Sequence, residues 1–216
     1  MNFGALTSVL FSRRCLACKA KLLSGALCAP CLGTVDIARG APRRPPGYPH
    51  FLGAAGKYEN AALKSLILAL KFGGVKAAAE PLSFILAMYA LPFKERFDGY
   101  LVVPIPLSRE RLRVRGFNQS ERIATPFAVR FGLPLATNIL MRVAHAKPQS
   151  ETANLAERKE NIRGCFALAG SAADLSGRRF ILIDDVTTSG ATFLEAARVL
   201  RGAHAEEIVA LAVAQA

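Results

Sequence analysis

The chain has 216 residues, 52% apolar and 20% charged, which suits one ordinary domain with a small appendage and excludes wholesale disorder. Its 28 Lys+Arg against 16 Asp+Glu leave +12, placed as +6 over 1–50, +2 over 51–100, +6 over 101–150 and −2 over 151–216. Two basic blocks suit a phosphate-rich partner, either small phosphates or nucleic acid. The longest charge-free apolar run, Pro81 to Phe93, has 13 residues and two prolines, against the roughly 20 that a bilayer-spanning helix needs. The first residues lack the basic start of a secretory signal, so a cytoplasmic, reducing address is expected.

Four of the five cysteines form two C-x-x-C pairs, Cys15/Cys18 and Cys28/Cys31, with nine residues between the pairs. Two such knuckles supply the four thiolates that a tetrahedral zinc binds at about 2.3 Å. Two disulfides or four unrelated thiols are the alternatives, and a reducing compartment disfavours disulfides. A closed four-thiolate site has no open coordination position, so the zinc is expected to staple a small unit. Cys165 stands alone in an apolar segment and reads as a buried, inert thiol. G-A-P-R-R-P-P-G-Y-P, residues 40–49, reads as a linker. The expected division is a zinc-ribbon segment with its linker at 1–50 and a main domain at 51–216.

Over 59–72, Leu63, Leu66, Ile67 and Leu70 recur at helical spacing, Gly73-Gly74 ends the helix, and Lys64 and Lys71 share a face. A second helix is expected over 75–90, with Pro81 early in it. Tyr100 to Val103 reads as a buried strand that empties through Pro104-Ile105-Pro106 into a basic loop, Arg109 to Arg115. If that loop is extended, Arg111, Arg113 and Arg115 share one face. Asn118 and Glu121 make a capping pair for a helix with Ile123, Ala124, Phe127, Ala128 and Phe131 on one side, kinked at Pro126. Strands are expected at 139–143 and 165–168. Between them lie a mobile polar stretch, 144–154, and a short helix, 155–162. Phe180 to Ile183 is the fully apolar run of a central parallel strand, ended by Asp184-Asp185. V-T-T-S-G-A-T follows, then a helix bearing Phe193, Ala196, Ala197 and Leu200 and closed by Gly202. A last strand is expected at 208–213. Strands alternating with helices predict an α/β fold, a mostly parallel sheet flanked by helices.

The last strand–loop–helix unit carries chemistry. Ligands of open parallel sheets sit beyond the carboxyl ends of the strands. There the hydroxyls of Thr187, Thr188, Ser189 and Thr192 and the backbone N–H groups near Gly190 and Ala191 meet a helix N-terminus, which makes an anion site. Gly190 lets the backbone approach a ligand closely. Two adjacent carboxylates, Asp184 and Asp185, repel a bare phosphate but accept from the hydroxyls of a polyol and favour nearby Mg²⁺. Phosphate on the loop with vicinal hydroxyls on the acids describes a ribose 5-phosphate. The bland alternative is a strand whose aspartates merely cap the next helix.

I-L-I-D-D-V-T-T-S-G-A-T resembles the phosphoribosyl-pyrophosphate (PRPP) signature of the type I phosphoribosyltransferases. The doubled C-x-x-C, L-K-S-L-I-L-A-L-K-F-G-G, V-V-P-I-P, R-L-R-V-R-G-F-N-Q and R-K-E-N-I-R-G-C-F narrow the resemblance to the ComF family, amidophosphoribosyltransferase-like proteins linked with competence for DNA uptake. The resemblance implies a phosphoribosyltransferase-type sheet behind an N-terminal zinc ribbon. It implies that 188–192 hold the 5-phosphate, that Asp184 and Asp185 hold the ribose hydroxyls, and that Pro106, Leu107, Ser108 and Arg109 form the pyrophosphate loop. Mg²⁺ would accompany the pyrophosphate, and Arg109 to Arg115 would supply charge to it. Arg158 and Asn161 match the family's R-x-x-N without a physical role. His50, His145 and His204 match no motif. Two functions follow. One is transfer of a phosphoribosyl group to an unknown acceptor. The other is a non-catalytic module of the DNA-uptake machinery, in which the same pocket holds PRPP or a phosphoribosyl-like group and the basic faces grip single-stranded DNA, and no tryptophan or interleaved aromatic residue advertises base stacking for it.

Overall fold

The computed structural model describes residues 13–48, 50–143, 162–169 and 175–216. The chain opens with a short antiparallel pair, β1 (Arg13–Arg14) and β2 (Lys21–Leu22), and a one-turn helix α1 (Ala29–Gly33). Then come β3 (Phe51–Lys57), α2 (Ala61–Lys71), α3 (Ala79–Ala90), β4 (Tyr100–Pro104), α4 (Arg109–Arg115) and α5 (Gln119–Phe131). The rest is β5 (Leu140–Arg142), β6 (Phe166–Leu168), β7 (Arg179–Thr187), α6 (Ala191–Gly202) and β8 (Glu207–Gln215).

Four strands pair in the order β3-β8-β7-β4, every pair parallel. The predicted α/β fold is therefore present, a parallel sheet flanked by helices. Alternation along β7 sends Ile181 and Ile183 into one apolar cluster with α2, α3 and α5, and Phe180 and Leu182 into another with α6. Both faces are buried, as the continuous apolar runs of β7 and β8 require. Ala26 and Val35 belong to the first cluster, so the cysteine segment packs onto the α2–α3 side of the core.

The sequence reading missed β3, whose composition F-L-G-A-A-G-K lacks β-branched residues. Its small residues answer to close neighbours: a Cβ on Gly53 would fall 2.4 Å from the Tyr89 hydroxyl oxygen, and one on Gly56 3.2 Å from Leu63. One further expectation is corrected. The basic loop 109–115 is helix α4, capped by the Ser108 hydroxyl, which accepts from Arg111 N–H at 3.3 Å. At 100° per residue, Arg111 and Arg115 share a face and Arg113 leaves it. β5 and β6 stand outside the main sheet as an antiparallel pair of their own. Helix α5 runs unbroken through Pro126, and Asn118 caps it by accepting from Ser120 N–H at 3.1 Å. The expected polar stretch and short helix between β5 and β6 fall almost wholly on 144–161, outside the described residues.

Candidate ligand site and cysteine cluster

β7 does not stop at Ile183. It continues through Asp184 and Asp185 to Thr187, in register with Ala212 to Gln215 of β8. Both carboxylates are therefore set by strand geometry, and both are buried. Asp184 Oδ1 accepts from the Ser120 hydroxyl at 2.7 Å and from Asp185 N–H at 2.9 Å. Burial first, and the neighbouring Asp185 charge second, push the Asp184 carboxyl up to about 7, against the opposing pull of Ser120 and Lys71. Asp185 Oδ1 pairs with Lys71 Nζ at 3.0 Å, from the last residue of α2. Asp185 Oδ2 is buried and accepts from nothing among the described residues.

Beyond Thr187 the chain turns over Thr188, Ser189 and Gly190 into α6. Gly190 sits at φ +74° as the residue before the helix, a conformation that L side chains avoid. Among the described residues, the N–H groups of Thr188, Ser189, Gly190, Ala191 and Thr192 donate to no backbone acceptor. Free donors at the N-terminus of a 12-residue helix suit an anion. Thr187 is buried, Thr188 is exposed, and Ser189 and Thr192 are half-buried. Pro106, Leu107 and Ser108 enter at the same edge, because Ile105 N–H donates to Ile183 O at 2.9 Å and Asn118 Nδ2 to Ile105 O at 3.0 Å. Arg115 donates to Gln119 and lies over the exposed ring of Phe72, and its charge acts on both aspartates. Arg109 is exposed in the first turn of α4. Arg158, Asn161 and His145 lie outside the described residues.

The four N-terminal cysteines meet at a second place. Their Sγ atoms all lie within 4.8 Å of one another, with Cys18 and Cys28 at 3.6 Å. Four sulfurs around a tetrahedral zinc at about 2.3 Å stand roughly 3.8 Å apart, so the cluster is compatible with structural zinc. Burial pushes the Cys15 thiol up, but backbone N–H groups of Cys18, Cys28 and Ala17 outweigh it and bring it down to about 6. Bonds with the Cys28 and Cys18 thiols, then burial, send Cys31 up to about 12. Four thiolates so close would repel one another, and a bound dication relieves that repulsion. Cys165 is buried just before β6, where its carbonyl accepts from Val143 N–H.

No protein-family model matches the chain. Competence protein F of Haemophilus influenzae is 33% identical over 115 residues, 53% of this chain and 50% of that protein. DNA utilization protein YhgH of Escherichia coli is 31% identical over 152 residues, 68% of this chain and 65% of that protein. The chain is a homologue of these ComF/YhgH proteins. It spans between half and just under two thirds of their lengths. Among solved structures, a Bacillus subtilis glutamine PRPP amidotransferase aligns at TM-score 0.41 and 15% identity over 72% of this chain and 28% of that one. An adenine phosphoribosyltransferase from Saccharomyces cerevisiae aligns at TM-score 0.39 and 14% identity over 63% and 69%. No helix among the described residues is long and apolar enough to cross a membrane.

Three site residues of this ComF/YhgH homologue escaped the sequence reading. Lys71 was visible only as a face-mate of Lys64, although it lies within the L-K-F-G-G segment that the family resemblance uses. Ser120 lies two residues beyond the capping Asn118, and no spacing rule links it to an aspartate 64 residues away. Tyr48 sits in the proline-rich linker, yet its hydroxyl donates to Ser189 O.

Proposed function

We propose that the chain binds PRPP, with the 5-phosphate on 187–192, the ribose diol on Asp184 and Asp185, and the pyrophosphate facing Pro106 to Arg109. The reading includes a phosphoribosyltransferase-like role in DNA uptake or utilisation. The observation that carries it is Asp185 Oδ2, a buried carboxylate oxygen without a partner among the described residues, beside a loop whose N–H groups donate to no backbone acceptor among them. A buried acceptor left bare costs roughly 1–3 kcal/mol, and a sugar hydroxyl would supply the missing donor. Hard carboxylate oxygens also suit Mg²⁺, which would accompany the pyrophosphate and neutralise its charge. In transfer, a nitrogen nucleophile bonds to the anomeric carbon as the bond to pyrophosphate breaks. Pyrophosphate leaves with the electron pair and the nitrogen gives up its proton. Lys71 and Arg115, the cations whose charge reaches the acids, and Arg109 would balance the leaving group. The names of the relatives, a competence protein and a DNA utilization protein, support the biological setting.

A second reading, single-stranded DNA binding, is favoured by a groove of about 540 Å³ between α3 and α5. Lys76, Arg122 and Arg130 line it, with Glu80 paired to Arg130, and Lys76 and Arg122 lie over Phe117 at 5.7 and 5.9 Å. Calorimetry tests both readings on one protein. PRPP with Mg²⁺ should bind the wild type, and Asp185→Asn should remove the heat. An oligonucleotide that binds with a steep salt dependence, lost in Arg122→Glu but kept in Asp185→Asn, assigns the groove to DNA. Wild-type protein that takes up no PRPP ends the first reading.

A further inference from the structure

The linker between the cysteine cluster and β3 is tied down along its length. Ala38 N–H donates to Ala55 O at 2.8 Å, and Arg43 and Leu52 exchange backbone bonds at 3.0 and 2.7 Å. Tyr48 N–H then closes a turn onto Pro45 O at 3.0 Å. That turn delivers the Tyr48 side chain, from 141 residues away in sequence, to the loop before α6, where its hydroxyl donates to Ser189 O. The ring lies against the same turn, since a Cβ on Gly190 would fall 3.2 Å from Tyr48 Cε1 and 3.0 Å from Leu52 Cδ2. His50, fully buried and with neither ring nitrogen partnered among the described residues, backs the tyrosine edge-on at 5.5 Å between centroids.

The Ser189–Gly190 peptide is trans, so its C=O and N–H point in opposite directions. Whatever holds the carbonyl on one side aims the Gly190 N–H to the other. A flipped peptide would present a carbonyl oxygen, rather than a donor, to an anion seated on the loop. The residue at Gly190 is the one most able to permit such a flip, because glycine adopts both signs of φ readily.

We propose that Tyr48 is a positioning residue for a phosphate monoester. Its hydroxyl locks the Ser189–Gly190 peptide in the orientation that directs the Gly190 N–H toward the 5-phosphate. The assignment rests on the proposed ligand reading of this loop. It requires no contact between Tyr48 and the ligand.

The test compares wild type, Tyr48→Phe and Tyr48→Ala by calorimetry with ribose 5-phosphate and with Mg²⁺-pyrophosphate, alongside thermal melting of each protein. Tyr48→Phe keeps the ring against Gly190 and removes only the bond, so ribose 5-phosphate should weaken roughly three- to tenfold while pyrophosphate affinity stays within error and the melting temperature falls by no more than a few degrees. Tyr48→Ala should weaken ribose 5-phosphate further and lower the melting temperature as well. A purely structural tyrosine would instead change the affinities for both ligands together. Unchanged ribose 5-phosphate affinity in Tyr48→Phe overturns the lock. Wild-type protein that binds neither probe overturns the ligand reading, and the lock with it.

Discussion

The cysteine corner and the carboxyl edge of the sheet are both polar clusters, but they are finished to different degrees. At the first, four like groups converge, each within 4.8 Å of the others, and one ion would satisfy them all. At the second, unlike groups converge: two acids, Lys71, Arg115, a row of N–H groups that donate to no backbone acceptor and one carboxylate oxygen that accepts from nothing, both among the described residues. No single ion completes that set. It asks for a ligand that is anionic at one end and rich in hydroxyl donors at the other. The difference separates a cluster suited to a stapling ion from one suited to a larger ligand, without reference to any relative.

Metal removal should break the comparison hardest. A cluster of this kind couples ion binding to the folding of its segment. Stripping the protein with a chelator, or Cys15→Ser, should lower the melting temperature by on the order of 10 °C and expose the amides of 13–35 to hydrogen exchange. Ala26 and Val35 would leave the core with them. Ribose 5-phosphate should still bind at low temperature. Purified protein with negligible zinc, and no loss of stability in Cys15→Ser, removes the staple from the account.

The two ends of the sheet carry an opposed pair of pH effects, His50 just before β3 and Asp184 near the end of β7. Burial first, then the charges of Arg201 and Arg44, hold His50 down to about 4, from 6.5. The unfolded chain takes up that proton below about 6.5 and the folded one does not until about 4, so this stability is complete above 6.5 and is lost as pH falls toward 4. Asp184 runs the other way, from 3.8 up to about 7. The folded chain keeps a proton that the unfolded chain releases, so its contribution is complete below 3.8 and is lost as pH rises through 7. Between pH 4 and 6.5 the two slopes offset. Asp184→Asn should therefore uncover the histidine: urea midpoints of the variant should rise across that window by the equivalent of up to about 3 kcal/mol, while the wild type stays flatter. A variant as flat as wild type would mean that His50 is solvated.

The two corners were not equally legible. C-x-x-C twice is a local pattern, and local spacing is enough to bring four sulfurs together. The run from Phe180 to Thr192 is also local, and it placed the acids and the anion loop on adjoining elements, though the strand reaches four residues further than its apolar stretch because β8 pairs with it as far as Gln215. What stayed hidden was everything supplied across the fold. Lys71, Ser120 and Tyr48 reach the site from α2, α5 and the linker, and each is fixed by tertiary packing that no periodicity encodes. β3 was hidden for the complementary reason: it is selected for small size against Tyr89 and Leu63, not for strand propensity. Alternating arginines suggested an extended loop, but Ser108 and the L-R-V-R sequence favour a helix once Gly116 can end it at φ +75°.

The finest distinction is between two glycines with the same backbone. Gly132 ends α5 at φ +66° with open space where a Cβ would go. Gly190 opens α6 at φ +74° with Leu52 and Tyr48 filling that space. Alanine at either position adopts a left-handed conformation, at a cost of roughly 1–2 kcal/mol, which in a chain of this size lowers the melting temperature by a few degrees. Gly132→Ala should show that strain and nothing else. Gly190→Ala must also move Leu52 or the tyrosine ring, so it should lose somewhat more stability and, unlike Gly132→Ala, weaken ribose 5-phosphate. If the two alanines melt alike and bind alike, the turn tolerates displacement, and the loop is less constrained by its neighbours than its contacts imply.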